Sequence, residues 1–294
     1  MNLALQEYLQ ASEQKKRELI NYIEQARSDL RFDSFLTDCQ YHLPRFTFTR
    51  LKKMYFIYIP GGRFNMGLSA AEEWAAREIC DPPAMNIAEM RPVTEVEVPG
   101  FLVAEIPFLV RHGWCMQAYV RLSPAETHIE TLDYCADDAM YTDFKTAQAL
   151  ADALQARLPN ETQREYFCRG NTNTLFCFGD TFPVRSELRK WFNTTFNDLS
   201  KCNKNNFGIG GLFMTEWCTD FFRYDYSSDK SAEGTRLLRG GGADFYAWRS
   251  DIDWDIFEND EDWVWCASAM RMPSTYLVDD TAGFRLVINL DSVK

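Results

Sequence analysis

The chain has 294 residues, 46% hydrophobic and 15% aromatic, with 31 basic against 43 acidic side chains for a formal net charge of -12. That composition can bury a large core and argues against a disordered chain, while the negative charge repels phosphate backbones and anionic lipid surfaces, so nucleic acid is not expected as a partner. No stretch approaches the roughly 20 apolar residues needed to span a bilayer, and the N-terminus lacks the basic-then-apolar order of a signal peptide, so a cytoplasmic protein is expected.

Residues 3–30 carry strong helix formers without Gly or Pro, and Leu5, Tyr8, Leu9, Ile20, Ile23, Ala26 and Leu30 fall close to a helical stripe. The spacing predicts an amphipathic helix whose wet side is Glu13-Gln14-Lys15-Lys16-Arg17-Glu18. Its stripe docks on the chain's own domain or, as the alternative, on a partner, which makes residues 3–30 the expected route to any oligomer. After Pro44 the texture changes, and a boundary there divides an N-terminal helical extension, 1–45, from a main domain, 46–294. Met54–Ile59 reads as a strand entering a turn at Pro60-Gly61-Gly62, with further strands at 93–98 and 101–106. Residues 142–156 read as a helix stopped before Pro159. Beyond it Gly, Asn, Asp and aromatic residues dominate, so the fold class is α+β with small sheets and much irregular chain.

The nine cysteines, Cys39, Cys80, Cys115, Cys135, Cys168, Cys177, Cys202, Cys218 and Cys266, are odd in number and form no C-x-x-C pair. In a chain without an export signal they read as reduced, mostly buried small hydrophobes. Arg239, Arg249, Arg271 and Arg285 are candidates for charge-assisted pairs with Glu161, Glu165, Glu216 and Asp220, pairs that would tie together a fold with little regular structure. Pro159 is expected in the first turn of a helix that carries Glu161 near its positive end.

Short motifs follow one another in a telling order: Ile59-Pro60-Gly61-Gly62-Arg63-Phe64-Asn65-Met66-Gly67, Arg157-Leu158-Pro159-Asn160-Glu161-Thr162-Gln163-Arg164-Glu165-Tyr166, Asn206-Phe207-Gly208-Ile209, Thr215-Glu216-Trp217-Cys218, Arg236-Leu237-Leu238-Arg239-Gly240-Gly241-Gly242 and Gly283-Phe284-Arg285-Leu286. In this order they resemble the formylglycine-generating enzyme family, also called the sulfatase-modifying-factor fold, over roughly residues 54–290. The resemblance implies a C-type-lectin-like α+β domain of small antiparallel sheets in extensive irregular chain. It also implies an activity: working members oxidise a cysteine of a sulfatase peptide to formylglycine with dioxygen and a copper ion held by two thiolates. The two thiolate positions fall here at Phe245 and Ser250, so copper is not expected. Sliding the insertion brings Cys266 into the second position but leaves Glu261 in the first. The iron-binding sulfoxide synthases of the same family use histidine ligands, whereas this chain has only His42, His112 and His128, isolated from one another. The family's calcium segment reads Leu212-Phe213-Met214-Thr215-Glu216-Trp217 here, which retains Glu216 and places Phe213 at the asparagine position.

Between the two closing motifs lies an acidic insertion. Asp251, Asp253 and Asp255 alternate and, with Glu216, are the candidate calcium ligands. Trp254, Trp263 and Trp265 among these acids, with Phe245, Tyr246, Trp248 and Arg249, form the candidate surface for a protein or peptide, since rings supply rigid contact area and acids supply orientation. Two functions follow from these readings. The chain is a non-catalytic binding protein on an enzyme-like scaffold, a pseudoenzyme acting in a complex or as an inhibitor. The alternative is a copper- or iron-dependent oxidoreductase with a rearranged site built on Cys266 and Cys218.

Overall fold

In a computed structural model, residues 3–83, 85–116, 139–181, 202–227, 231–240, 266–276 and 282–290 are described. Among them the helices are α1 (Leu5–Gln10), α2 (Glu13–Ala26), α3 (Ala70–Ile79), α4 (Val110–Met116), α5 (Phe144–Ala153) and α6 (Glu161–Arg169). The strands are β1 (Leu30–Phe35), β2 (Pro44–Phe48), β3 (Tyr55–Ile59), β4 (Gly62–Met66), β5 (Thr94–Val98), β6 (Phe101–Ala104), β7 (Glu216–Arg223), β8 (Ser231–Arg239), β9 (Arg271–Pro273) and β10 (Val287–Asn289). They pair antiparallel in three small sheets, ordered β1-β2-β3-β6-β10, β4-β5 and β7-β8-β9. This is the α+β class expected from the sequence.

The central strand β3, Tyr-Phe-Ile-Tyr-Ile, is buried along almost its whole length because it carries structure on both faces. Tyr58 meets Tyr8 of α1, with ring centres 6.3 Å apart. On the other face Ile59 pairs with Phe101, whose ring lies 6.4 Å from Phe167 of α6. Adjacent residues of a strand point to opposite faces, so the N-terminal helices cover one side of the sheet and α6 the other. Pro60-Gly61-Gly62 is therefore a corner between two sheets and not a hairpin, since β3 pairs with β2 and β6 while β4 pairs with β5.

The helix expected over residues 3–30 is broken in two. Ala11 and Ser12 are extended, and the Ser12 hydroxyl accepts the Lys15 N–H at 3.3 Å as the cap of α2. Leu5, Tyr8, Leu19, Ile20 and Ile23 are buried in the chain's own core, so most of the stripe is consumed internally, while Leu9 is left 44% exposed. Leu30, the last residue of the expected stripe, instead opens β1, which pairs with β2 from Leu30–Phe48 to Phe35–Pro44. The same segment also holds α5: Arg27 donates to the Gln155 and Leu154 carbonyls at 2.7 and 3.3 Å, and Arg50 to that of Ala153 at 2.7 Å. These cations satisfy the orphan carbonyls at the helix's negative end. Arg27→Ala is expected to lower stability by about 1–3 kcal/mol, the cost of leaving buried acceptors unmade, as a shift of the urea midpoint at constant slope.

Candidate functional site

The motifs converge on α6, which runs through the interior. Asn160 caps it by accepting the Gln163 N–H at 2.8 Å, while the Gln163 side chain accepts the Asn160 N–H at 3.2 Å. Pro159 thus sits one residue outside the cap and not in the first turn. At the far end Gly170 takes φ +59, a left-handed conformation that suits glycine. The Asn205 side chain closes that end, donating to the Phe167 and Cys168 carbonyls at 2.6 and 3.0 Å and accepting from Phe207 and Ile209.

Glu161, Glu165 and Arg169 are spaced i, i+4, i+8 and share one face of α6. All three are buried, and their partners come from distant segments. Arg169 bonds Glu165 at 2.9 Å and Glu72 of α3 at 2.6 Å. Arg239 bonds Glu165 at 2.6 Å and Glu161 at 2.9 Å. Arg271 bonds Glu161 at 2.8 Å. The result is an alternating buried chain, Glu72–Arg169–Glu165–Arg239–Glu161–Arg271, in which three carboxylates balance three guanidiniums. Burial alone would raise the Glu165 carboxyl, but the Arg239 and Arg169 charges and the Gly67 N–H hold it below the usual carboxylate range. A polar hollow of ≈ 160 Å³ opens beside this chain, lined by residues including Arg63, Asn65, Glu95, Arg169 and Asn171.

A second buried cluster lies on the remaining face of α6. Arg164 bonds Glu216 at 2.7 Å, and Arg285 bonds the same carboxylate at 2.9 Å. Arg285 also donates to the carbonyls of Ala104, Glu105, Gly210 and Gly211. Glu216, weighed as a calcium ligand, does not fit that role: a carboxylate held between two guanidiniums sits where a further cation is repelled. The Leu212 carbonyl of the same segment is taken by Arg164 at 2.8 Å. Asp220, expected to pair with an arginine, instead accepts the Glu161 N–H at 2.7 Å and so places its charge at the positive end of α6. Gly240, at φ +79, follows Arg239, and a side-chain carbon there would collide with the Met214 carbonyl.

The two thiols of the rearranged-site reading fall in different places. Cys218 packs with Phe222 and Leu237 in a small cluster, whereas Cys266 belongs to the main core. Burial pushes the Cys218 thiol well up, and the Asp220 charge adds to this. Cys177 is pushed well up by burial first and then by the Cys168 and Cys266 thiols. His112 is buried and neutral: burial and then the Arg111 charge depress it to about 3, and its Nδ1 accepts the Leu109 N–H at 3.2 Å. Among the described residues no group of three or more His, Cys, Asp or Glu is arranged to hold a metal ion. Phe245, Tyr246, Trp248, Arg249, Ser250, Asp251, Asp253, Trp254, Asp255, Trp263 and Trp265 lie outside the described residues.

A small-sheet α+β domain, tied through one buried helix by arginine–carboxylate chains contributed from distant motifs, defines a scaffold class. The chain belongs to the family of the sulfatase-modifying factor enzyme 1-like domain, whose family model matches residues 46–290. Among solved structures it is similar to PvdO from Pseudomonas aeruginosa, at 15% identity and a TM-score of 0.55, over 88% of this chain and 98% of that one. It also matches Treponema denticola variable protein 1, at 13% identity and a TM-score of 0.46, over 80% and 95% of the two chains. No curated protein matches it. No helix among the described residues is long and apolar enough to cross a membrane.

Proposed function

We propose that this chain is a protein- or peptide-binding member of the family, a scaffold that acts in a complex or as an inhibitor and not as a formylglycine-generating catalyst. The observation that carries the reading is the buried network: the charged residues of the family motifs are spent on one another as fold closures, while Cys218 and Cys266 stand in separate apolar clusters. Fold does not carry activity by itself, and Phe245 and Ser250 cannot supply a two-thiolate copper site. The eight described cysteines form no disulfide with one another, which supports a reducing, cytoplasmic setting.

A second reading, a copper- or iron-dependent oxidase with a rearranged site on Cys266 and Cys218, draws on membership of the enzyme family. Metal analysis of protein purified without chelator, with oxygen consumption on cysteine peptides, separates the two. Substoichiometric metal and no oxygen uptake are expected; one copper or iron per chain with peptide-dependent uptake overturns the binding reading.

A further inference from the structure

The interior arginines are each tied to a carboxylate, but Arg236, on the same strand as Arg239, meets none among the described residues. The two are three positions apart, an odd spacing, so they point to opposite faces of β8. Arg236 lies on the outer side, where its guanidinium carbon is 4.0 Å from the ring centre of Phe144 and 4.0 Å from that of Phe221. Phe221 is its direct cross-strand partner on β7, and Phe144 opens α5. Among the described residues only Nη1 of its side chain has a bonding partner, the Thr219 carbonyl at 2.8 Å, and none of their carboxylates lies within ion-pair distance. The nearest acid to influence it is Asp220, whose Oδ2 is already taken by the Glu161 N–H. The clamp stays open to solvent: Phe221 is 43% exposed and Phe144 is half-buried.

Two rings stacked on a guanidinium fix its plane without using its N–H edge, so Nε and Nη2 are left as a preset fork for a planar anion. A net charge of -12 disfavours a polyanion, whereas one carboxylate meets one local cation within a Debye length of about 8 Å. Rings this exposed line an open surface, which rewards a ligand that brings apolar contact of its own. We propose that Arg236, clamped between Phe144 and Phe221, anchors a docking surface for an aspartate or glutamate side chain of a partner protein flanked by apolar residues. This rests on the binding reading above for the existence of a partner, but the measurement below reads this surface whichever way the metal analysis falls.

The probes are two blocked peptides, acetyl-Gly-Leu-Glu-Leu-Gly-amide and its glutamine counterpart, titrated into the full chain while the Arg236 side-chain Nε–H resonance is followed by NMR. The glutamate peptide is expected to shift that resonance saturably, with at least about fivefold weaker binding for the glutamine peptide, as loss of a charge-assisted pair requires. Arg236→Met, which keeps the stem between the rings, is expected to melt like the wild type and to reduce peptide binding at least as much, followed through the Phe221 and Phe144 ring signals. Equal binding of the two peptides, no saturable shift, or saturation by acetate at the same concentration as by the peptide overturns the proposal. Should Arg236→Met fail to fold, the wild-type comparison of the two peptides decides alone.

Discussion

Glu165→Gln is expected to cost about 3–5 kcal/mol, the price of breaking a buried ion pair on one side, which rivals the whole stability of a domain at about 5–15 kcal/mol. Glu165 is fully buried, and its two oxygens accept from Arg169, Arg239 and the Gly67 N–H. Glutamine keeps the shape and one acceptor but removes the charge, so the chain from Glu72 to Arg271 is left with two carboxylates against three guanidiniums. Desolvation decides the sign: an unbalanced buried cation has no water to compensate it. Adding Arg239→Gln restores two of each, and the double-mutant cycle is expected to show a coupling of at least about 1.5 kcal/mol in urea unfolding. Additive losses would mean that the two residues do not act as a pair.

The same residue sets an acid limit. Its carboxyl is held below the ordinary range, so the unfolded state binds the proton at a higher pH than the folded state does. The stability it contributes is complete above the unfolded carboxylate range and is lost as pH falls through the lower folded value. Glu165→Gln should therefore flatten the acid limb of the stability curve.

How much of this was legible in the sequence divides by distance along the chain. The pairing of Arg239, Arg271 and Arg285 with Glu161, Glu165 and Glu216 is readable from the motifs, because a loop-rich domain must satisfy its charges internally. Arg164, Arg169 and Glu72 escape that reading, although the i, i+4, i+8 spacing of Glu161, Glu165 and Arg169 was a usable signal for one face of a buried helix. Asn205 escapes too, since nothing local marks it as the closure of a helix that ends with Arg169. The break at Ser12 carried a cap signal, which the strong helix formers on both sides outweighed. The strand at 30–35 could not be separated from the end of α2 by periodicity, and its pairing with β2 is a tertiary choice. The Arg236 clamp joins Phe144, Phe221 and a third segment, and no spacing in the sequence announces it.

Arg285→Leu tests the second cluster, and two effects oppose each other there. Arg164 and Arg285 share the single carboxylate of Glu216, so the triad carries one surplus positive charge in the interior. Burial, with the Arg164 charge added, pulls the Arg285 guanidinium below its ordinary value even though Glu216 opposes both, which marks the site as unfavourable for the cation. Leucine removes that surplus and leaves Arg164–Glu216 as a neutral pair. It also removes the guanidinium from the carbonyls of Ala104, Glu105, Gly210 and Gly211, while Glu105 keeps a backbone donor, the Gly210 N–H at 3.0 Å. Each orphaned acceptor costs about 1–3 kcal/mol, so the loss outweighs relief of one strained charge, and a net destabilisation of about 3–5 kcal/mol is expected. Arg285→Lys should fall short of rescue, because one ammonium with three donors cannot span a carboxylate and four carbonyls arranged around a planar fork. Urea midpoints for both variants check this: a leucine variant at least as stable as the wild type would show that the surplus charge, and not the carbonyl contacts, governs this corner of the fold.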